Sequence, residues 1–232
     1  MLQELLSIFR AESPLQKMAS NFSEMLTISR ELVEKAGEAF FKRSISPEER
    51  TWLQKKDVRV NKLERRIRKQ VIFHLSIDGK TPDLPYCLLL MSLVKDVERI
   101  GDYAKELATL ADMPCATYPK GPLFDELKEI RAGVEADYRS AVEVVQSADR
   151  ERAVELIHCG RDTVDRCEQL IQRIAQSDHT AGEAVILTLG TRFYQRIAGH
   201  VLNLLSSVVV PLHKLDYYDE KDIAKAEKRL GG

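Results

Sequence analysis

The placement of proline constrains this chain more than any other feature. Its eight prolines stand at 14, 47, 82, 85, 114, 119, 122 and 211, leaving uninterrupted stretches at 15–46, 48–81, 86–113 and 123–210. Proline inside a helix removes a hydrogen bond and clashes with the preceding turn, yet it suits a first turn or a connection. The stretches therefore predict long helices, with breaks near 44–47, 78–85 and 113–122. Ser46-Pro47-Glu48-Glu49 reads as a helix start: a capping serine, proline in the first turn, then acids at the positive end of the helix dipole. Asp78-Gly79-Lys80-Thr81-Pro82 reads as a turn.

Apolar spacing agrees. Leu53, Val60, Leu63, Ile67, Val71 and His74 fall on one helical stripe, and Leu90, Leu93, Val97, Ile100, Ala104 and Leu107 fall on another. No run of strict alternation suggests a strand. The reading is six helices, at 15–43, 47–77, 84–112, 123–147, 149–177 and 181–212, with Asp178 to Gly182 separating the last two. Pro114, Pro119, Gly121 and Pro122 mark an inter-domain linker. The expected fold is all-α: two tandem three-helix bundles of long antiparallel helices. The first bundle takes 1–113, the linker 114–122, the second bundle 123–215, and a charged tail 216–232 forms a short helix.

Composition excludes several classes. Lys and Arg total 35 against 36 for Asp and Glu, so the basic excess of a general nucleic-acid binder is absent. Cys87, Cys115, Cys159 and Cys167 form no C-x-x-C pair and read as ordinary thiols in a reducing compartment. No stretch reaches the ~18 apolar residues of a membrane span; Val201 to Leu212 is interrupted by Asn203, Ser206, Ser207 and Pro211. The N-terminus lacks the basic lead of a signal peptide. A cytoplasmic protein is expected by elimination. Glycine-rich phosphate loops and the nucleophile elbow are missing. Glu155 and His158 form one E-x-x-H, where a di-iron bundle needs two. A non-enzymatic protein is expected.

The halves resemble each other. Val60 to Ile67 is similar to Val164 to Ile171, and Val97 to Asp102 is similar to Tyr194 to Gly199. Glu98 and Asp102 lie one turn apart, about 6 Å in rise, so both carboxylates share a face and can hold a hard cation. Asp57 and Asn61 on the preceding helix share the same spacing. The counterparts in the second half are Gln195, Gly199, Arg161 and Asp165, so a cation site is expected in the first half alone. The bland reading of Glu98, beside Lys95 and Arg99, is a solvated surface pair.

Glu98-Arg99-Ile100-Gly101-Asp102-Tyr103-Ala104, with the run Asp57 to Ile67, resembles the PhoU family of phosphate-transport regulators. The resemblance covers the chain as architecture and is specific in motif around 57–67 and 95–108. It implies that Asp57, Glu98 and Asp102 bind metal, with Asn61 standing where an acid is usual; iron, zinc, magnesium or manganese would be the ion. It also implies a regulator that contacts a membrane phosphate transporter, a sensor histidine kinase, or both. An accessory subunit of a sodium–phosphate cotransporter or other ion transporter is the alternative. A metal-dependent enzyme using the same carboxylates is a further alternative, from another class. Gln195-Arg196-Ile197-Ala198-Gly199-His200 lacks both acids, which marks a divergent member with an eroded second copy.

Two surfaces remain. Segment 42–69 carries eleven basic and four acidic residues, a net +7. Such a face is either simply solvated or orients the chain at an acidic membrane surface or partner. Leu2, Leu5, Leu6 and Phe9 form an amphipathic patch expected to fold back onto its bundle. Peripheral membrane association and a homodimer are both compatible with the sequence.

Overall fold

The computed structural model describes residues 13–77 and 81–215. The turn residues 78–80, the N-terminal apolar patch and the charged tail lie outside them. Six long helices account for most of the described chain: α1 (Pro14–Lys42), α2 (Pro47–Leu75), α3 (Leu84–Thr109), α4 (Pro122–Ser147), α5 (Arg150–Ala175) and α6 (Ala181–Val209). No strand occurs among the described residues.

The helix starts follow local chemistry. Ser13, Ser46 and Thr180 each accept from the backbone N–H three residues on, while Gln16, Glu49 and Glu183 reach back to the cap. These reciprocal pairs satisfy backbone donors that a helix start otherwise leaves open. Asp149 caps α5 by accepting from the Arg152 N–H at 3.0 Å. The far ends are set as clearly. Pro211 pushes Val210 into extended backbone, with φ −106° and ψ 155°, so α6 stops at Val209 rather than 212. The expected third helix gives up its last turn to a 3-10 segment, Leu110–Asp112.

Helices α1, α2 and α3 pack on one another, as do α4, α5 and α6. The two sets also meet broadly, α3 against α6 and α1 against α4. Their buried side chains form one continuous apolar cluster, from Met18 and Leu32 through Ile100 and Leu127 to Leu205. Two close approaches seal the seam. A β-carbon on Gly190 would lie 2.7 Å from the Phe40 ring, and one on Gly37 would lie 2.6 Å from the Tyr194 hydroxyl.

The proline-rich segment is not a free spacer. The Tyr118 hydroxyl donates to the Phe40 carbonyl at 2.7 Å, and the Arg43 guanidinium lies 5.0 Å from the Tyr118 ring centre. Arg43 also donates to the Cys115 carbonyl at 2.8 Å. Burial lifts the Tyr118 phenol to about 12. The segment is thus strapped over the end of α1. His74, on the α2 stripe, is buried and bonded through Nε2 to Asp83 at 2.7 Å. That bond ties the end of α2 to the start of α3.

Candidate functional site

The four candidate ligands stand on the facing helices α2 and α3. Asp57 is turned inward, its side chain only 12% exposed. The Lys105 ammonium lies 3.4 Å from both Asp57 oxygens and 3.5 Å from Asp102 Oδ1. One lysine therefore bridges the carboxylates of two helices. Burial works against its charge, but Asp57 and Asp102 outweigh that cost and hold the ammonium above its ordinary value.

Glu98 does not join this bridge; its Oε2 accepts from Lys95 Nζ at 2.6 Å. Arg99 approaches Asp102 at 3.5 Å from the outer side. Asn61 is half-buried, and its backbone carbonyl accepts from Arg65 Nε at 3.1 Å. Among the described residues no three Asp, Glu, His or Cys side chains converge as metal ligands. The arrangement joins two carboxylates to one ammonium, and a metal ion fits there only if Lys105 moves aside. Lys105 was readable from the sequence, one turn beyond Asp102, yet a search for donors passes over a cation.

The second-half counterparts form a different site. Gln195 is buried; its amide nitrogen donates to Glu168 at 3.2 Å, and its oxygen accepts from Arg192 at 2.6 Å. A β-carbon on Gly199 would meet nothing within 4 Å. A polar cavity of about 380 Å³ opens there, lined in part by Glu168, Arg192, Arg196 and His200.

The wall of that cavity holds a contact that sequence reasoning missed. Asp96 of α3 is 7% exposed and accepts at Oδ1 from His200 Nδ1 at 2.8 Å and Asn203 Nδ2 at 2.9 Å, both on α6. The Tyr103 ring stacks on His200, centres 5.8 Å apart. Burying a carboxylate demands donors, and the two on α6 supply them. The signal was present: Asp96 lies three residues after Leu93 and four before Ile100, on the apolar stripe. His200 therefore ties the two helix sets together.

The basic segment is partly consumed. Lys56 pairs with Glu31 at 2.7 Å, and Arg59 holds Glu24 with two bonds of 2.7 and 2.8 Å, all between α2 and α1. Lys55, Lys62, Arg65, Arg66 and Lys69, all on α2, pair with no acidic side chain among the described residues. All four cysteines are free. No described helix is long and apolar enough to cross a membrane.

Comparison with known proteins agrees with this architecture. Residues 22–111, which hold α2, α3 and most of α1, match the family described as PhoU domain. A curated relative is 27% identical over 154 residues, covering 64% of this chain and 68% of its own length; it is the phosphate-specific transport system accessory protein PhoU homolog of Synechocystis. The crystal structure of PhoU from Pseudomonas aeruginosa superposes with a TM-score of 0.75 at 20% identity, over 85% of this chain and 96% of that one. The phosphate transport system regulatory protein PhoU from Streptococcus pneumoniae superposes with a TM-score of 0.74 at 15% identity, over 88% and 95%. Residues 22–111 are thus similar to the PhoU domain, and the chain as a whole shares the fold of the PhoU structures.

Proposed function

We propose that this chain is a non-enzymatic regulator of phosphate uptake or phosphate signalling. It works by binding a membrane phosphate transporter, a sensor histidine kinase, or both. The observation that carries this reading is the PhoU domain match over residues 22–111. A relative named as an accessory protein of a phosphate-specific transport system supports it. The joined helix sets suit such a role: a continuous core and the Asp96–His200 bond hold long exposed helix faces in fixed relation. Lys105 already supplies a cation to Asp57 and Asp102, so this reading needs no metal.

The test is cross-linked co-purification from the native host in phosphate-rich and phosphate-starved cells, with captured proteins identified by mass spectrometry. A phosphate transporter or sensor kinase whose recovery changes with phosphate is the expected result. Capture of another ion transporter would keep the adaptor mechanism and replace its cargo. Absence of any membrane partner in both conditions would overturn the reading.

A further inference from the structure

Apolar exposure among the described residues is concentrated. Of the eight large hydrophobic side chains exposed among the described residues, six lie between 72 and 88: Ile72, Phe73, Ile77, Leu84, Tyr86 and Leu88. Phe73 is 72% exposed and Ile72 63%. Single exposed apolar residues are ordinary, but a cluster marks an interaction surface. Phe73 and Ile77 are one turn apart on one side of the α2–α3 connection, Leu84 and Leu88 one turn apart on the other. The 2.7 Å bond from His74 to Asp83 pins the two sides together, so they form one end of the helical hairpin.

Behind this tip stands positive charge. Arg65, Arg66 and Lys69 are exposed on α2. Arg65 bonds only the Asn61 carbonyl of its own helix, and no acidic side chain among the described residues pairs with any of the three. Nearby Glu64 is taken by Arg68 at 2.9 Å, and Asp83 by His74. Lys69 and Arg66 precede Phe73 by four and seven residues, so they stand about 6 and 10 Å behind it along the helix axis. That offset matches the ~5–10 Å depth to which apolar faces sink at a bilayer interface. Arginine and lysine at such a depth meet anionic headgroups.

We propose that the α2–α3 tip docks on an anionic lipid surface, with Ile72, Phe73, Ile77, Leu84 and Leu88 entering the headgroup–acyl boundary and Arg65, Arg66 and Lys69 meeting lipid phosphates. A second copy of the chain is a poorer occupant, because pairing two tips brings two sets of three unpaired cations together. The proposal stands apart from the regulator reading, since it involves lipid alone.

The experiment is co-sedimentation of the full chain with vesicles of phosphatidylglycerol and phosphatidylcholine, against phosphatidylcholine alone. The expected result is binding to the anionic vesicles only, falling with salt. Phe73→Ser should weaken it about tenfold or more, and each charge removed in R65Q/R66Q/K69Q about fivefold. All four side chains are exposed, so the fold is retained. Phe73→Trp adds a second readout: brominated acyl chains quench its fluorescence, while native Trp52, about 30 Å back along α2, is spared. Three outcomes would each overturn the proposal. One is no binding to anionic vesicles. Another is binding that neither variant set changes. The third is concentration-dependent self-association abolished by Phe73→Ser without vesicle binding, which would make a second copy the occupant.

Discussion

Replacing Lys105 by methionine tests whether a side chain serves as the cation between Asp57 and Asp102. Methionine keeps the length of the stem and removes the ammonium. Two carboxylates then face each other across α2 and α3, one of them 12% exposed. Removing one partner of a fully buried ion pair costs about 3–5 kcal/mol, whereas an exposed pair is worth about 0–1. Lys105 is 38% exposed and its contacts are long, 3.4 to 3.5 Å, so this case lies between those limits. A loss of about 2 kcal/mol corresponds to a fall in Tm of roughly 4–8 °C for a chain of this size. The gap has a definite pH dependence. Lys105 is held above its ordinary value of 10.5 in the folded state. Its stabilisation is therefore fully present below 10.5 and is lost as pH rises through the folded value. Calorimetry at pH 7 and 9 should give the same gap between wild type and variant, closing above 10.5. Millimolar magnesium or manganese should raise the Tm of the variant, because the freed carboxylates accept a hard cation. Wild type should not respond. An unchanged Tm in the variant would refute the bridge, and a wild-type Tm that rises with the metal would show that Lys105 gives way to it.

Other perturbations test the surroundings. Burial pushes the Asp137 carboxyl up, opposed in part by Arg152. Asp137→Asn should therefore raise Tm at pH 7, with the gain vanishing as pH falls through the raised folded value toward 3.8. Tyr194 is fully buried and its hydroxyl has no hydrogen-bond partner, so Tyr194→Phe should leave Tm unchanged or raise it in thermal melts. Gly190→Ala drives a methyl into the Phe40 ring and should cost about 1–3 kcal/mol in denaturant titrations. Burial raises the Cys167 thiol to about 12 and lifts Cys87 as well, while Cys159 is exposed. A thiol reagent at pH 8 should label native Cys159 and reach Cys87 and Cys167 only after unfolding, as mass spectrometry would show.

Much of the fold was legible because proline, capping residues and apolar stripes act within a few turns of chain. Ser46-Pro47-Glu48-Glu49 states a helix start outright, and the structure has it there. What sequence left unread depends on neighbours far along the chain. The 113–122 segment resembles a linker in composition; only the contacts of Tyr118 with Phe40 and Arg43 show that it is fastened down. That Asp57 and Asp102 stand on adjoining helices followed from helical spacing and the resemblance. The lysine between them did not, because three-residue spacing from Asp102 leaves open which helix its ammonium turns toward. Asp96 was passed over for the opposite reason. Its position on a buried stripe called for partners, but those partners lie about a hundred residues away, on α6.

The seam has an evolutionary reading. In a duplicated protein, one copy is usually at liberty to decay once the other keeps the task. Here Leu127, Ile197 and Leu205 belong to the same core as Leu32 and Ile100, so neither copy can be lost without unmaking the other. Losing either half would strip the apolar cover from the other. Gln195 and Gly199 stand in the second half where Glu98 and Asp102 stand in the first, while both halves supply the shared core. Each half serves as scaffold for the other, whatever chemistry its own side chains carry.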